Sequence, residues 1–199
     1  MADMSNKEKL MQAALELFSR KGYSAASVDE IAESVGIKGP NIYKHFAGKR
    51  DLLDELVEHF EARYKEKMRF NLDSLTQVRN AQDLRDLSMN QLKYTLSDDD
   101  AIRLRKMFTI EQFRDENMSM LSTRHQYTNV IVVYEKIFTD LLEYKEIKNG
   151  AADILALEYI SPINLLIQLC DRNSMSRDEV IDKSEKHIDY FTRRHFVNP

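Results

Sequence analysis

The sequence predicts an all-α fold of about nine helices. It divides into a short three-helix head over residues 1-48 and a longer helical body over 49-199. Three observations lead there. The 199 residues include only 5 Gly and 3 Pro, so little interrupts a chain rich in Leu, Lys, Glu, Met and Ala, all compatible with helix. Apolar residues recur at three- and four-residue spacing along most of the chain. Its 43% hydrophobic and 31% charged residues describe a chain able to bury a core rather than a disordered one.

The elements follow in order. Ser5–Lys21 reads as a first helix, with Leu10, Met11, Ala14, Leu17 and Phe18 on one face and Gly22 as its stop. Ser27 and Glu30 have the capping-box spacing and open a short second helix whose stripe is Val28, Ile31, Ala32 and Val35. Gly36 then breaks the chain. A third helix is expected from Pro40, tolerated in a first turn where its missing N–H costs nothing, through Phe46, with Gly48 ending it. Lys49 opens a long fourth helix towards Phe70.

Beyond it, helices are expected over Asp83–Leu96, Asp98–Phe113 and Met118–Tyr144, with Asn149-Gly150 as a turn. Ala152–Asp171 is the next helix, kinked or interrupted at Pro162. Ser176, with Glu179 three residues on, caps a last helix to about Phe196.

The head has the order of a helix-turn-helix: three short helices with a glycine turn between the second and third. Ala32 is small where two helices must approach, and Gly36 can adopt the left-handed conformation that a tight turn demands. Such a reader lays the start of its last helix in the major groove. The side chains available there are Lys38, Gly39, Pro40, Asn41, Lys44 and His45. Asn can bond an adenine edge bidentately and Lys can donate to guanine, while Ser27, Tyr43 and Lys49 are spaced to hold phosphates at the rim.

Charge agrees. The whole chain is −4, but residues 1–50 hold 8 Lys/Arg against 6 Asp/Glu, a net +2, which leaves −6 for the remainder. Gly36–Arg50 contains Lys38, Lys44, Lys49 and Arg50 and no acid. A cationic patch on an acidic body suits a protein that meets phosphate at one end. Lys49 and Arg50 at a helix start oppose the macrodipole, which a nearby phosphate would explain.

The runs Ala13-Ala14-Leu15-Glu16-Leu17-Phe18, Lys21-Gly22-Tyr23, Ser27-Val28-Asp29-Glu30-Ile31-Ala32, Val35-Gly36-Ile37, Ile42-Tyr43-Lys44-His45-Phe46 and Lys49-Arg50-Asp51-Leu52-Leu53 together resemble the N-terminal domain of TetR-family regulators over about residues 7–57. Gly39-Pro40 departs from the Gly-Thr or Gly-Ala often held there. The resemblance implies a homodimer that represses transcription and leaves its operator when a small molecule binds the C-terminal domain. It further implies that Ser27, Lys38, Asn41, Tyr43, Lys44, His45 and Lys49 occupy DNA-contacting positions.

The body carries no motif, but two compositional features. Met68, Phe70, Met89, Tyr94, Met107, Phe108, Phe113, Met118, Met120, Tyr127, Tyr134 and Phe138 supply thioethers and rings suited to a deformable pocket for a hydrophobic or aromatic-contacting effector. Of these, Met68, Met89, Tyr94, Met107, Phe108, Phe113, Tyr127 and Tyr134 are the pocket candidates. The helix near Ile154–Cys170 is apolar on more than one face and must be covered. Ile160, Ile163, Leu166, Ile167 and Cys170, with Val180, Ile181, Ile188 and Phe191 of the last helix, are the expected dimer interface, and they resemble the pair of helices that pairs two subunits in the family.

Other classes find less support. His59, His125, His187 and His195 are scattered without metal-ligand spacing, and no Gly-rich phosphate loop or nucleophile–base pair occurs, so no cofactor, metal or enzymatic activity is expected. A lone Cys170 suits a reducing cytoplasm. The N-terminus lacks a signal peptide's apolar core, and the most apolar stretch, Tyr159–Cys170, falls short of the ~20 residues that cross a bilayer. The readings that remain are a ligand-released repressor, a DNA-binding regulator without an effector (architectural, division-linked or activating), and an all-helical enzyme or metal protein.

Overall fold

The computed structural model describes residues 5–75, 78–114 and 116–199; the side chains of residues 61, 64, 65 and 67–75 lie outside the description. The described residues form α1 (Asn6–Lys21), α2 (Val28–Ser34), a 3-10 segment (Gly39–Lys44), α3 (Lys49–Leu75), α4 (Ala81–Ser97), α5 (Asp99–Glu111), α6 (Glu116–Thr123), a π-helical turn (Arg124–Thr128), α7 (Asn129–Glu143), α8 (Ala152–Asp171) and α9 (Arg177–His195). The all-α prediction holds.

Local chemistry sets most helix starts. Ser5, Ser27 and Ser176 each accept from the N3 amide while the N3 glutamate accepts from the cap amide, so α1, α2 and α9 all open with capping boxes. Two expectations fail. The third head helix is a 3-10 segment one residue earlier than Pro40; six residues between Lys38 and His45 leave room for i→i+3 closures such as Asn41 N–H to the Lys38 carbonyl, 2.8 Å. The helix expected over Met118–Tyr144 is broken by the π-turn, where the side-chain amide of Asn164 donates to the Gln126 carbonyl at 3.3 Å. By contrast, α8 runs through Pro162.

Compactness groups the residues into two units, Met1–Lys67 with Asp99–Ser122 and Met68–Asp98 with Thr123–Pro199. The division at residues 48 and 49 drawn from the sequence concerns roles; packing groups the chain differently, because α5 lies against α1. The first unit's core joins Leu10, Ala14, Leu15 and Phe18 of α1 to Ile31, Ile42, Phe46, Leu52, Leu56, Met107 and Phe108. Gln12 donates to Asp100 at 2.6 Å, and Arg63 pairs with the other oxygen of Asp100 at 2.7 Å. These polar contacts tie the start of α5 to α1 and α3.

In the second unit α8 packs on α7 and α9, and α4 packs on α9. The centre is aromatic: Tyr159 meets Phe191 edge-on at 4.8 Å and Phe138 at 5.5 Å. Its polar atoms are paired in a chain, with Tyr159 Oη donating to Ser88 Oγ at 2.7 Å and Ser88 Oγ 3.0 Å from Tyr134 Oη. Desolvation pushes the Tyr159 phenol well above its ordinary value. Lys148 N–H to the His195 carbonyl and Val197 N–H to the Glu146 carbonyl, both 2.9 Å, fasten the chain after α7 to the end of α9.

The apolar stretch is longer than the sequence reading allowed. α8 has 20 residues and is, by length and composition, apolar enough to cross a membrane. Only one of its faces is used within the unit: Leu155, Ala156, Tyr159, Ile160 and Ile163 are buried, while Ile154, Leu157 and Leu165 are exposed.

Candidate nucleic-acid interface

The site is built on the turn after α2. Gly36 has φ +75, the left-handed conformation expected there, and Ile37 N–H returns to the Ala32 carbonyl at 3.0 Å to close the helix end. The 3-10 segment that follows is pinned by two apolar side chains. Ile42 and Phe46 are buried in the first unit's core with Ile31 and Ala32; Val28 and Val35 are half-buried beside them. Fixing residues 42 and 46 inward turns Lys38, Pro40, Tyr43 and Lys44 outward, Tyr43 being 60% exposed. Asn41 and His45 are half-buried at the margin, and the His45 ring leans towards Phe46 at 6.4 Å. Gly39 faces the Asp29 carboxylate so closely that a Cβ would strike it. Among the described residues, the side chains of Lys38, Asn41, Tyr43 and Lys44 have no hydrogen bond or ion pair within the protein.

The rim residues are engaged. Ser27 Oγ accepts from Glu30 N–H at 3.1 Å, and Lys21 holds the same glutamate at 2.5 Å. The Lys21 ammonium and the Ser27 groups hold the Glu30 carboxyl down at about 2, from an ordinary 4.5. Lys49 Nζ stands 4.4 Å over the Tyr23 ring and donates to the Ser24 carbonyl at 3.3 Å. Burial lowers the Lys49 ammonium below its ordinary value, against the opposing pull of the Glu111 carboxylate. Arg50 is paired with Asp54 at 3.0 Å. The cations that seemed misplaced at a helix start therefore have protein partners, and a phosphate is not needed to explain them.

Residues 10–56 match the profile of bacterial regulatory proteins, tetR family. Over those residues the chain is similar to the tetR family. Curated relatives are similar over part of the chain: YttP of Bacillus subtilis strain 168, named as a probable HTH-type transcriptional regulator, is 31% identical over 91 residues, 46% of this chain and 44% of that protein. IcaR of Staphylococcus aureus strain Newman, a negative regulator of the biofilm operon icaADBC, is 40% identical over 52 residues, 26% of this chain and 28% of its own. The matched stretches thus span less than half of either relative. A protein of Saccharomonospora viridis solved with choline shares the fold at TM-score 0.71 and 18% identity, covering 97% of this chain and 98% of that one. Outside residues 10–56 that likeness shows the fold alone.

The pocket candidates fall in both units. Met107 and Phe108 are buried in the first unit, and Met89 and Tyr134 in the second. Tyr94 is half-buried with its hydroxyl on Asp98 at 2.7 Å, and the Tyr127 hydroxyl accepts from Gln168 at 2.8 Å. Phe113 is 91% exposed and lines no interior; Met68 and Phe70 fall outside the described side chains. An open cleft of about 400 Å³ in the second unit is lined instead by Asn80, Arg85, Asp189, Thr192 and Arg193.

The interface candidates divide as well. Ile160, Ile163, Val180, Ile188 and Phe191 turn into the unit's own core, so they hold the subunit together and present nothing to a partner. Leu166, Ile167, Cys170 and Ile181 are half-buried against that core. On α8 and α9 the exposed large apolar side chains are Ile154, Leu157, Leu165 and Tyr190.

Proposed function

We propose that this protein is a sequence-specific DNA-binding transcription regulator, a homodimeric repressor released from its operator by a small effector, acting in the cytoplasm. The observation that carries the reading is the group Lys38, Tyr43 and Lys44, turned outward, with Asn41 at their margin, all left without partners on a segment pinned from behind by Ile42 and Phe46. Side chains with unspent donors beside a glycine turn are what base edges and phosphates require. Residues 1-48 act as the reader, with Ser27, Gly39, Pro40, His45 and Lys49 completing it.

The dimer reading is supported by the exposed side of α8. A soluble protein gains by covering Ile154, Leu157 and Leu165 with a like surface, and two-fold pairing would set two readers roughly 34–36 Å apart, one turn of DNA. The effector reading leans on the hydroxyl chain Tyr134–Ser88–Tyr159 set in an aromatic core, and on the choline held by the Saccharomonospora protein of the same fold. Its working requires an effector that binds the DNA-free and DNA-bound states with different affinity.

Selection of binding sites from random duplexes tests the whole. The expected product is a two-fold symmetric site, bound with a steep salt dependence that Lys49→Ala flattens on all sequences alike. Leu165→Glu is expected to give a monomer with much weakened binding. Recovery of no preferred sequence would overturn the proposal.

A further inference from the structure

Glu111 is the buried charge that the DNA-binding surface does not use. It stands at the end of α5, 1% exposed, in the first unit. Tyr23 N–H, 88 residues away in the chain, donates to its Oε1 at 2.9 Å, and Arg114 lies 3.6 Å from the same oxygen. The approach is close: a Cβ on Gly22 would fall 2.5 Å from Glu111 Oε1 and 3.0 Å from Ile110 Cγ2. Gly22 also has φ +85, so both conformation and space reserve the position for glycine. The Tyr23 side chain, packed edge-on against Phe18 at 5.3 Å, carries the Lys49 ammonium on its ring, and the next carbonyl, that of Ser24, accepts from that ammonium. One carboxylate on α5 therefore fixes the backbone on which the seat of Lys49 is built.

We propose that Glu111 is a positioning residue for DNA binding: it holds the Gly22–Ser24 turn through the Tyr23 amide and thereby sets where Lys49 meets the phosphate backbone. The inference rests on the DNA-binding reading above. A displacement of the last turn of α5 is then a displacement of Lys49. A buried carboxylate suits this task, because a charge-assisted hydrogen bond is short and directional and cannot be exchanged for water at that depth.

The test uses the full chain and the duplex it selects, with Glu111→Ala, Glu111→Gln, Lys49→Ala and the double variant Glu111→Ala/Lys49→Ala. Glu111→Ala is expected to weaken binding about tenfold and to flatten the salt dependence as Lys49→Ala does. The double variant is expected to bind no worse than the weaker single one, since both act on one contact. Glu111→Gln keeps an acceptor for the Tyr23 amide and is expected to rescue most of the loss. Should Glu111→Ala not fold, Glu111→Asp, whose shorter arm withdraws the acceptor, takes its place with the same two outcomes. Wild-type affinity and salt dependence in that variant, or losses that multiply in the double variant, overturn this inference alone. A wild-type chain that binds no duplex overturns it together with the DNA-binding reading.

Discussion

The 3-10 segment Gly39–Lys44 and the surroundings of Tyr159 treat polar side chains in opposite ways. Around Tyr159, hydroxyls are buried and bonded to one another through Ser88, among rings within about 5 Å. Along Gly39–Lys44, Ile42 goes inward, Tyr43 and Lys44 stand in solvent, and Asn41 sits at the margin, all three polar side chains with no partner. A buried polar group must be paired at folding or it costs the full desolvation. An exposed one can be kept for a ligand at no such cost. The hydroxyls around Tyr159 are thus already engaged with one another, whereas the polar side chains along Gly39–Lys44 stay available for the DNA proposed to bind there.

This contrast can be broken by substitution. Phe191→Ala removes a fully buried ring from the second unit and is expected to cost ~3–5 kcal/mol of stability, read by chemical denaturation, while the base preference of binding stays the same; a changed preference would join the two regions. Asn41→Ala should do the reverse, relaxing discrimination at one base pair by ~1–3 kcal/mol with no change in melting temperature. A loss of stability there would mean that Asn41 belongs to the core. Ser184 Oγ is buried without a hydrogen-bond partner, an exception among the described residues of its unit. Ser184→Ala is therefore expected to stabilise by about 1 kcal/mol, from relief of desolvation and better helix propensity, and a destabilised variant would show that the hydroxyl is satisfied.

The smallest effect concerns the cap of α2. The Glu30 carboxyl is depressed in the folded chain from 4.5 to about 2. A depressed carboxyl stabilises above its unfolded value, and that contribution fades as pH falls through the folded one. The difference in melting temperature between wild type and Glu30→Gln should accordingly be full above about pH 5 and shrink towards pH 2. A difference that grew on acidification would reverse the assignment of the shift.

The sequence by itself determined the all-α class, the capping boxes at Ser27 and Ser176, the left-handed Gly36, and which side chains of residues 38–45 are polar and near one another. These are local matters: a cap reads three residues ahead and a turn reads four, so their signals lie within a few residues of the sequence. Tertiary structure alone decided that Lys49 and Arg50 have partners, that Phe191 and Val180 face inward while Leu157 and Leu165 face out, and that Glu111 holds Tyr23. Periodicity shows that a helix has an apolar face but not which neighbour covers it when two faces are apolar. A hydrogen bond across 88 residues leaves no spacing to read, because its geometry exists only once α5 has packed on the turn after α1.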